Sequence, residues 1–547
     1  MYPDCIRKPP GDQNRQIYGA MTWWRAGVDP PEMLFAGCPR KGEERTTGCL
    51  GGVAELGDGP RSGDATGSVA TSSRERSGRI APVLKSWHRW HPARVLDTVH
   101  LRLYWFDSSA HSPPTSVDNA QETCTRGKPI NLTSYVATMP TKIALLGSGI
   151  FASQFYLPVL LKSAEVDLAA LWSRSKTSVD KIASLATAST HGDRRGDSDL
   201  KTYFGDDGFE ALLADKDVQA VIMALPITAQ PPIVLRCLEA GKHVLSEKPV
   251  AKDAHTARDL IERAKAIFQA NKVVWRVAEN MAHDDTVREM GQILRQPALG
   301  PVLYWHMRQE LCVPAGSKWH ATEWRTIPDF QGGFILDGGV HMSAILRVAL
   351  PTPPARIIST ALLHRSHLPP HDIVMGLALP PTTAYTASHG EPFAADILAT
   401  RIPGDIGQSG PHGSISLSWA NAELPADPDA PPPPAFTFEV HCLNGNVIMS
   451  MEGDTFVMRV IGAVGSGVTS RSWRSKVTGL VNEVDMFARA ARGEGAQDED
   501  YGKPQDALWD LALIEALLSS NGKEVVLNEL VAPGGGANLV PNGVHHS

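Results

Sequence analysis

The chain has 547 residues, 42% of them hydrophobic and 20% charged, with a formal net charge of −7, which predicts a globular protein of two or three domains. A mildly acidic balance excludes a general attraction to nucleic acid or to an anionic membrane surface, and no stretch reaches the roughly 18 apolar residues that a membrane span needs. Cysteines stand at Cys5, Cys38, Cys49, Cys124, Cys237, Cys312 and Cys442; their odd number and their spacing match no metal motif and read as free thiols of a reducing, cytoplasmic compartment.

Residues 1–138 carry Gly/Ser/Arg-rich tracts such as 57–78, scattered tryptophans (Trp23, Trp24, Trp87, Trp90 and Trp105) and no sustained period of 2 or 3.6. The opening run has no apolar core of a signal peptide and is too acidic for a transit peptide. So little apolar pattern predicts a largely disordered N-terminal extension, or sequence upstream of a true start at Met139. A small folded module is the alternative.

From Met139 strands and helices alternate. The spacing predicts strands over 142–146, 166–172, 218–224, 242–246 and 272–277. Helices are expected over 150–163, 177–187, 207–214, 229–240 and 253–270, with a polar insertion at 190–199. Gly241 reads as a C-cap and Asp253 as an N-cap. Such alternation means α/β architecture, a doubly wound parallel sheet of the Rossmann kind over 139–277. After about 280 the pattern turns to longer β-like runs: 301–309, 356–364, 373–378, 396–401, 413–420, 435–442, 445–450 and 455–460. Asn444-Gly445 is a hairpin signal, 424–434 a polyproline loop, and helices are expected over 475–492 and 504–520. This makes 278–535 an α+β domain with a large, mostly antiparallel open sheet, followed by a disordered tail, 536–547.

Two motifs carry chemistry. Gly147-Ser148-Gly149-Ile150-Phe151-Ala152 follows the first strand and opens the first helix. Gly147 permits the tight turn, Gly149 lets the backbone approach a pyrophosphate, and Ala152 allows close helix packing. The helix start then offers unsatisfied N–H groups to a phosphate. The end of the second strand reads Trp172-Ser173-Arg174-Ser175-Lys176, without the acid that usually binds an NAD ribose. Ser173 and Arg174 suit a 2′-phosphate, so NADP is preferred over NAD. The second motif, Glu247-Lys248-Pro249, ends a later strand of the same sheet. Farther on, Asp337 and His341 lie one helical turn apart, in the first turn of a helix over 337–349, on one face. A structural reading, an N-cap for Asp337 and a buried core residue for His341, stands beside the catalytic one.

With Ala224-Leu225-Pro226, Glu239–Val244, Glu279-Asn280 and Gly332–His341, these motifs make the span 139–530 resemble the glucose-fructose oxidoreductase / inositol dehydrogenase / MocA family, trans-dihydrodiol and NADP-linked sugar dehydrogenases above all. The resemblance implies a dehydrogenase that moves a hydride between nicotinamide and a CH–OH carbon of a sugar, polyol or vicinal diol. It implies catalytic roles for Lys248, His341 and Asp337. In it His341 is the general acid/base, as an imidazole titrating near neutrality allows. Lys248 steadies charge on the substrate oxygen, and Asp337 orients His341 or the substrate. The expected cofactor set is Gly147, Ser148, Gly149, Ile150, Phe151, Ser173, Arg174, Leu225, Pro226, Glu247, Lys248 and Asn280. Trp324, Arg325 and Asp329, with Asp337, are expected at the substrate, and His306 and His320 at structural or surface positions. The resemblance implies no metal, and a homodimer or larger homo-oligomer built through the second sheet. A non-catalytic NAD(P)-binding sensor and a redox-neutral NAD-dependent glycosidase remain the alternatives on the same fold.

Overall fold

The computed structural model describes residues 139–189, 199–327, 330, 332–381, 410–423, 434–495 and 501–532. The expectations for 1–138, for a strand at 396–401, for most of the loop at 424–434, for the tail and for Asp329 fall outside them. The first sheet takes β1 (Thr141–Leu146), β2 (Val166–Ser173), β3 (Lys201–Phe204), β4 (Ala220–Met223), β5 (His243–Glu247) and β6 (Trp275–Ala278). Its order is β3-β2-β1-β4-β5-β6, and every pair is parallel. The strand order reverses between β1 and β4, which opens a crevice at the carboxyl ends of these strands. The central strands are apolar runs buried on both faces, as a helix-covered parallel sheet requires. β3 was not expected: it is a short edge strand of alternating half-buried and exposed residues inside a polar stretch.

The first helix is not continuous. A π-helical turn, Ala152–Tyr156, precedes α1 (Leu157–Lys162). Pro158 has no N–H to carry the regular ladder through this point, and the Leu157 N–H reaches back to Ala152. Next come α2 (Lys176–Ser189), α3 (Gly205–Ala214), α4 (Gln230–Glu239) and α5 (Ala254–Asn271). The Asp253 carboxylate caps α5 by accepting from the Thr256 N–H.

The second sheet begins after α6 (Asp285–Leu294). Its strands are β7 (Val302–Glu310), β8 (Arg356–Leu362), β9 (Ile373–Leu379), β10 (His412–Ser418), β11 (Phe436–Cys442), β12 (Gly445–Glu452), β13 (Thr455–Gly462), β14 (Arg471–Lys476) and β15 (Val525–Val526). The order is β14-β13-β12-β11-β7-β10-β9-β8-β15, antiparallel except where β7 meets β10. β14 was unexpected because Trp473 is the one apolar residue among its six. Leu443-Asn444 turn the β11–β12 hairpin.

Helices α7 (Glu323–Thr326), α8 (Gly333–Ala349), α9 (Gly479–Ala491), α10 (Pro504–Ser519) and α11 (Leu527–Val531) complete the elements of the described residues. α8 is buried along nearly its whole length and packs against α6 and α10. Arg347 on α8 and Asp510 on α10 form a bidentate buried pair, with both N–O distances 2.8 Å. Gly338 lets α8 approach the sheet, since a Cβ there would lie 2.6 Å from the Trp419 ring. Cys237, Cys312 and Cys442 are unpaired thiols. No helix among the described residues is long and apolar enough to cross a membrane.

Candidate active site

A cleft of about 560 Å³ runs along the carboxyl ends of β1, β2, β4 and β5, within the range of small-molecule sites. Gly147–Phe151, Ser173, Arg174, Leu225, Pro226, Glu247 and Lys248 all line it. Asn280 does not; it faces a second hollow instead. Gly147 stands at φ +111°, and a Cβ on it would lie 2.4 Å from the Ala224 carbonyl oxygen, so only glycine fits the turn. Gly149 has open space where a side chain would stand. A glycine turn with clear space before a helix start is the cradle a pyrophosphate needs. At the far end the Ser173 and Ser148 hydroxyls meet at 2.9 Å. Lys176 is engaged by Asp180 at 2.7 Å, whereas Arg174 has no acidic partner among the described residues and lines the cleft.

The second hollow, about 80 Å³, lies between the cleft and the sheet of the second half. Phe151, Lys248, Trp319, Arg325 and Asp337 border both hollows. Lys248 follows β5 directly, and its peptide bond to Pro249 is cis. Its Nζ donates to the Asp337 carboxylate at 3.0 Å and to the Asp337 carbonyl at 2.8 Å. Arg325 Nε donates to the other carboxylate oxygen at 3.0 Å, and its guanidinium lies 3.9 Å from the Trp324 ring centroid. Burial works to raise the Asp337 carboxyl, but Lys248 and Arg325 outweigh it and hold the group well below the usual carboxylate range.

His341 has another partner. Its Nδ1 lies 2.7 Å from Glu279 Oε1, at the carboxyl end of β6. A carboxylate only accepts, so Nδ1 carries the hydrogen and Nε2 is left as the basic nitrogen. Burial works to raise the Glu279 carboxyl, yet His341 and Lys248 outweigh it and the net direction is down. Glu247 goes the other way: burial pushes it up to about 7, against the pull of Lys248 and of the hydrogen bond from Tyr156. The Tyr156 hydroxyl donates to Glu247 at 2.8 Å, and Glu247 also accepts from the Lys248 N–H at 3.1 Å. Glu247 thus anchors the turn that carries the lysine.

Three expectations change. α8 starts at Gly333, so Asp337 is no N-cap, and His341 sits in the third turn, beyond the positive end of the helix. Asp337 does not touch His341; it pairs with Lys248 and Arg325, and Glu279 takes the orienting contact. Trp324 lines the cofactor cleft rather than the second hollow, because Arg325 lies over its ring on the way to Asp337. Sequence reasoning missed Glu279 as the partner of His341, and missed Trp319, Gln309 and Trp419 around the second hollow. Glu279 stood beside a noted residue, Asn280, but nothing local ties it to a histidine 62 positions away. Among the described residues no group of three or more His, Cys, Asp or Glu side chains could hold a metal.

Residues 141–275 match the model of an oxidoreductase family with an NAD-binding Rossmann fold. The chain is 34% identical over 240 residues to the dehydrogenase FPY6 of Fusarium mangiferae, a match covering 42% of this chain and 65% of that protein. It is 26% identical over 248 residues to a trans-1,2-dihydrobenzene-1,2-diol dehydrogenase of Mus musculus, covering 44% of this chain and 68% of that one. The matched stretch therefore spans just under two thirds of the fungal relative. Among solved structures, an oxidoreductase from Thermotoga maritima superposes with a TM-score of 0.53 at 22% identity, over 72% of this chain and 99% of the other, which is likeness of fold.

Proposed function

We propose that the chain, whose residues 141–275 match an oxidoreductase family with an NAD-binding Rossmann fold, is a member of the glucose-fructose oxidoreductase / inositol dehydrogenase / MocA family that oxidises or reduces a CH–OH carbon of a small sugar, polyol or vicinal diol, with NADP preferred over NAD. One observation carries this reading: the cofactor cleft and the second hollow meet at Lys248, and His341, held by the buried Glu279, lines the same hollow. When bound, the nicotinamide supplies or accepts the hydride. The protein's own residues do the rest. His341 Nε2 takes the hydroxyl proton in the oxidative direction and returns it in the reductive one. Glu279 holds the Nδ1 hydrogen, keeping the ring in the tautomer that can accept, and steadies the imidazolium that forms. Lys248 places a positive charge where an alkoxide develops in a largely water-excluded recess. Asp337 and Arg325 position that lysine: its ammonium is tied at two points and cannot swing away.

Ser173 and Arg174 make the 2′-phosphate subsite. Arg174→Ala is expected to weaken NADP⁺ by about 10- to 100-fold, the range of a charge-assisted hydrogen bond, and to leave NAD⁺ within about twofold. Isothermal titration with both cofactors measures this, and equal losses would remove Arg174 from the subsite. Turnover is tested on the full chain by nicotinamide absorbance, with both cofactors, against aldoses, polyols and cyclic diols. Cofactor binding without turnover of any of them would favour a sensor instead.

The outer face of the second sheet exposes Tyr304, Met375, Leu377 and Ile461 in strand alternation. Exposed apolar side chains spread over an open sheet face suit a second copy of the chain. Sedimentation of the full chain should give a dimer or larger; a monomer at micromolar concentration would exclude it.

A further inference from the structure

Two polar side chains in the second hollow have no task in the mechanism above. Gln309 and Asn280 are 6% and 7% exposed, and both line the hollow. Gln309 Oε1 and Asn280 Oδ1 are buried and accept no hydrogen bond. Buried amides are normally paired, since an orphaned oxygen costs stability that packing must supply. Gln309 is out of pattern as well. On the inner face of β7 it continues the fully buried Trp305 and Met307, and its register partners are Leu417 on β10 and Phe436 on β11, both buried. An apolar residue belongs at such a position. An amide there makes sense if something entering the hollow pairs with it.

The surroundings define what that is. Apart from the catalytic groups, the walls are the rings of Trp319, Trp419 and Phe436 with Met451. Flat apolar walls with a few convergent polar groups suit a ring that is apolar on its faces and hydroxylated at its rim. The two cations that reach the hollow, Lys248 and Arg325, are both hydrogen-bonded to Asp337, and the mechanism assigns Lys248 to the reacting oxygen, so neither is set aside for a separate phosphate or carboxylate. The hollow itself is small, about 80 Å³. We infer that Gln309 and Asn280 are specificity-determining residues that accept hydrogen bonds from two non-reacting hydroxyls of a small uncharged cyclic polyol or diol. This rests on the hydride-transfer reading and extends it to the substrate class.

The test uses the full chain saturated with NADP⁺. D-glucose is compared with its single-deoxy forms, and trans-cyclohexane-1,2-diol with cyclohexanol, in wild type, Gln309→Leu and Asn280→Ala. Two readouts run in parallel: kcat/KM, and thermal stabilisation by each compound. In wild type, removing one particular hydroxyl should lower kcat/KM by tenfold or more, as sites built to bond a hydroxyl reject analogues lacking it. Gln309→Leu should lose a similar factor on the parent compound and nothing further on that deoxy form, so the discrimination collapses. Asn280→Ala should do the same for a different hydroxyl. Cofactor-induced stabilisation in both variants shows that they fold, and the second variant serves if the first does not. Turnover with discrimination unchanged in the variants overturns the inference and leaves the hydride-transfer reading intact. Stabilisation that depends on Gln309 without turnover does the reverse. Neither turnover nor stabilisation by any of these compounds overturns both.

Discussion

Lys248→Ala is expected to lower kcat/KM by about 10³-fold, the scale of one preorganised charge at a developing oxyanion, while cofactor affinity changes only a few-fold. The lysine borders the cofactor cleft, but the glycine turn and the Ser173–Arg174 end supply most of that surface. The protein should remain folded, because Asp337 keeps Arg325 as its partner in the variant. Lys248→Arg should not restore the rate. The Nζ atom bonds a carboxylate oxygen and a backbone carbonyl of the same residue, and a planar guanidinium does not reproduce that point contact. Steady-state kinetics with titration of the cofactor checks this, and near-wild-type turnover in Lys248→Ala would exclude the lysine from the chemistry.

The second large effect concerns the pair of His341 and Glu279. His341→Ala should cost about 10²- to 10⁴-fold in kcat/KM, the usual worth of a positioned acid/base. Glu279→Gln should approach the same loss although it keeps the size of the side chain. An amide can donate to Nδ1, which places the ring hydrogen on Nε2, the nitrogen that must accept. Groups that act as one unit are not additive, so the double variant should be no slower than His341→Ala alone. Losses that multiply in the double variant would mean that Glu279 acts separately from the histidine. The carboxylate is a sensitive choice for this test because it is fully buried and already held in its charged form by His341 and Lys248, against the effect of burial.

Much of this protein was legible in the chain itself. An apolar run, a glycine turn and a helix start predict β1, the Gly147–Ala152 turn and a helix behind it; the strand and the turn form as read because each depends on neighbours a few residues away, while the helix opens with the π-helical turn Ala152–Tyr156. The alternation of strands and helices up to β6, and of strands after it, is local in the same sense and sets the two sheets. Elements without an apolar signal were lost. β3 and β14 are edge strands with no aliphatic residues, made by pairing with β2 and β13 rather than by their own composition. The extra turn at the start of α8 was missed because glycine is a poor helix former, and Gly332-Gly333 give no start signal ahead of Asp337.

The candidate site divides along the same line. The residue types, Lys248 after β5 and the Asp337–His341 pair on one helix, were evident from sequence. Their partners were not. Lys248 meets Asp337 across 89 positions and His341 meets Glu279 across 62, and no periodicity links residues so distant. Spacing alone put Asp337 beside His341, one turn away. Only the packing of α8 against α6, α10 and the turn after β6 turned Asp337 toward the lysine and arginine and left the histidine to Glu279. Gln309 shows the point from the other side: in the chain it is one polar residue in a strand, and only the sheet register between Leu417 and Phe436 makes it a buried amide without a partner. Sequence by itself determined the candidate cradle and which groups could do chemistry, because both are written in short-range pattern. The tertiary structure alone decided which charge faces which, because hydrogen bonds and ion pairs act over a few ångströms of space, whatever the length of chain between them.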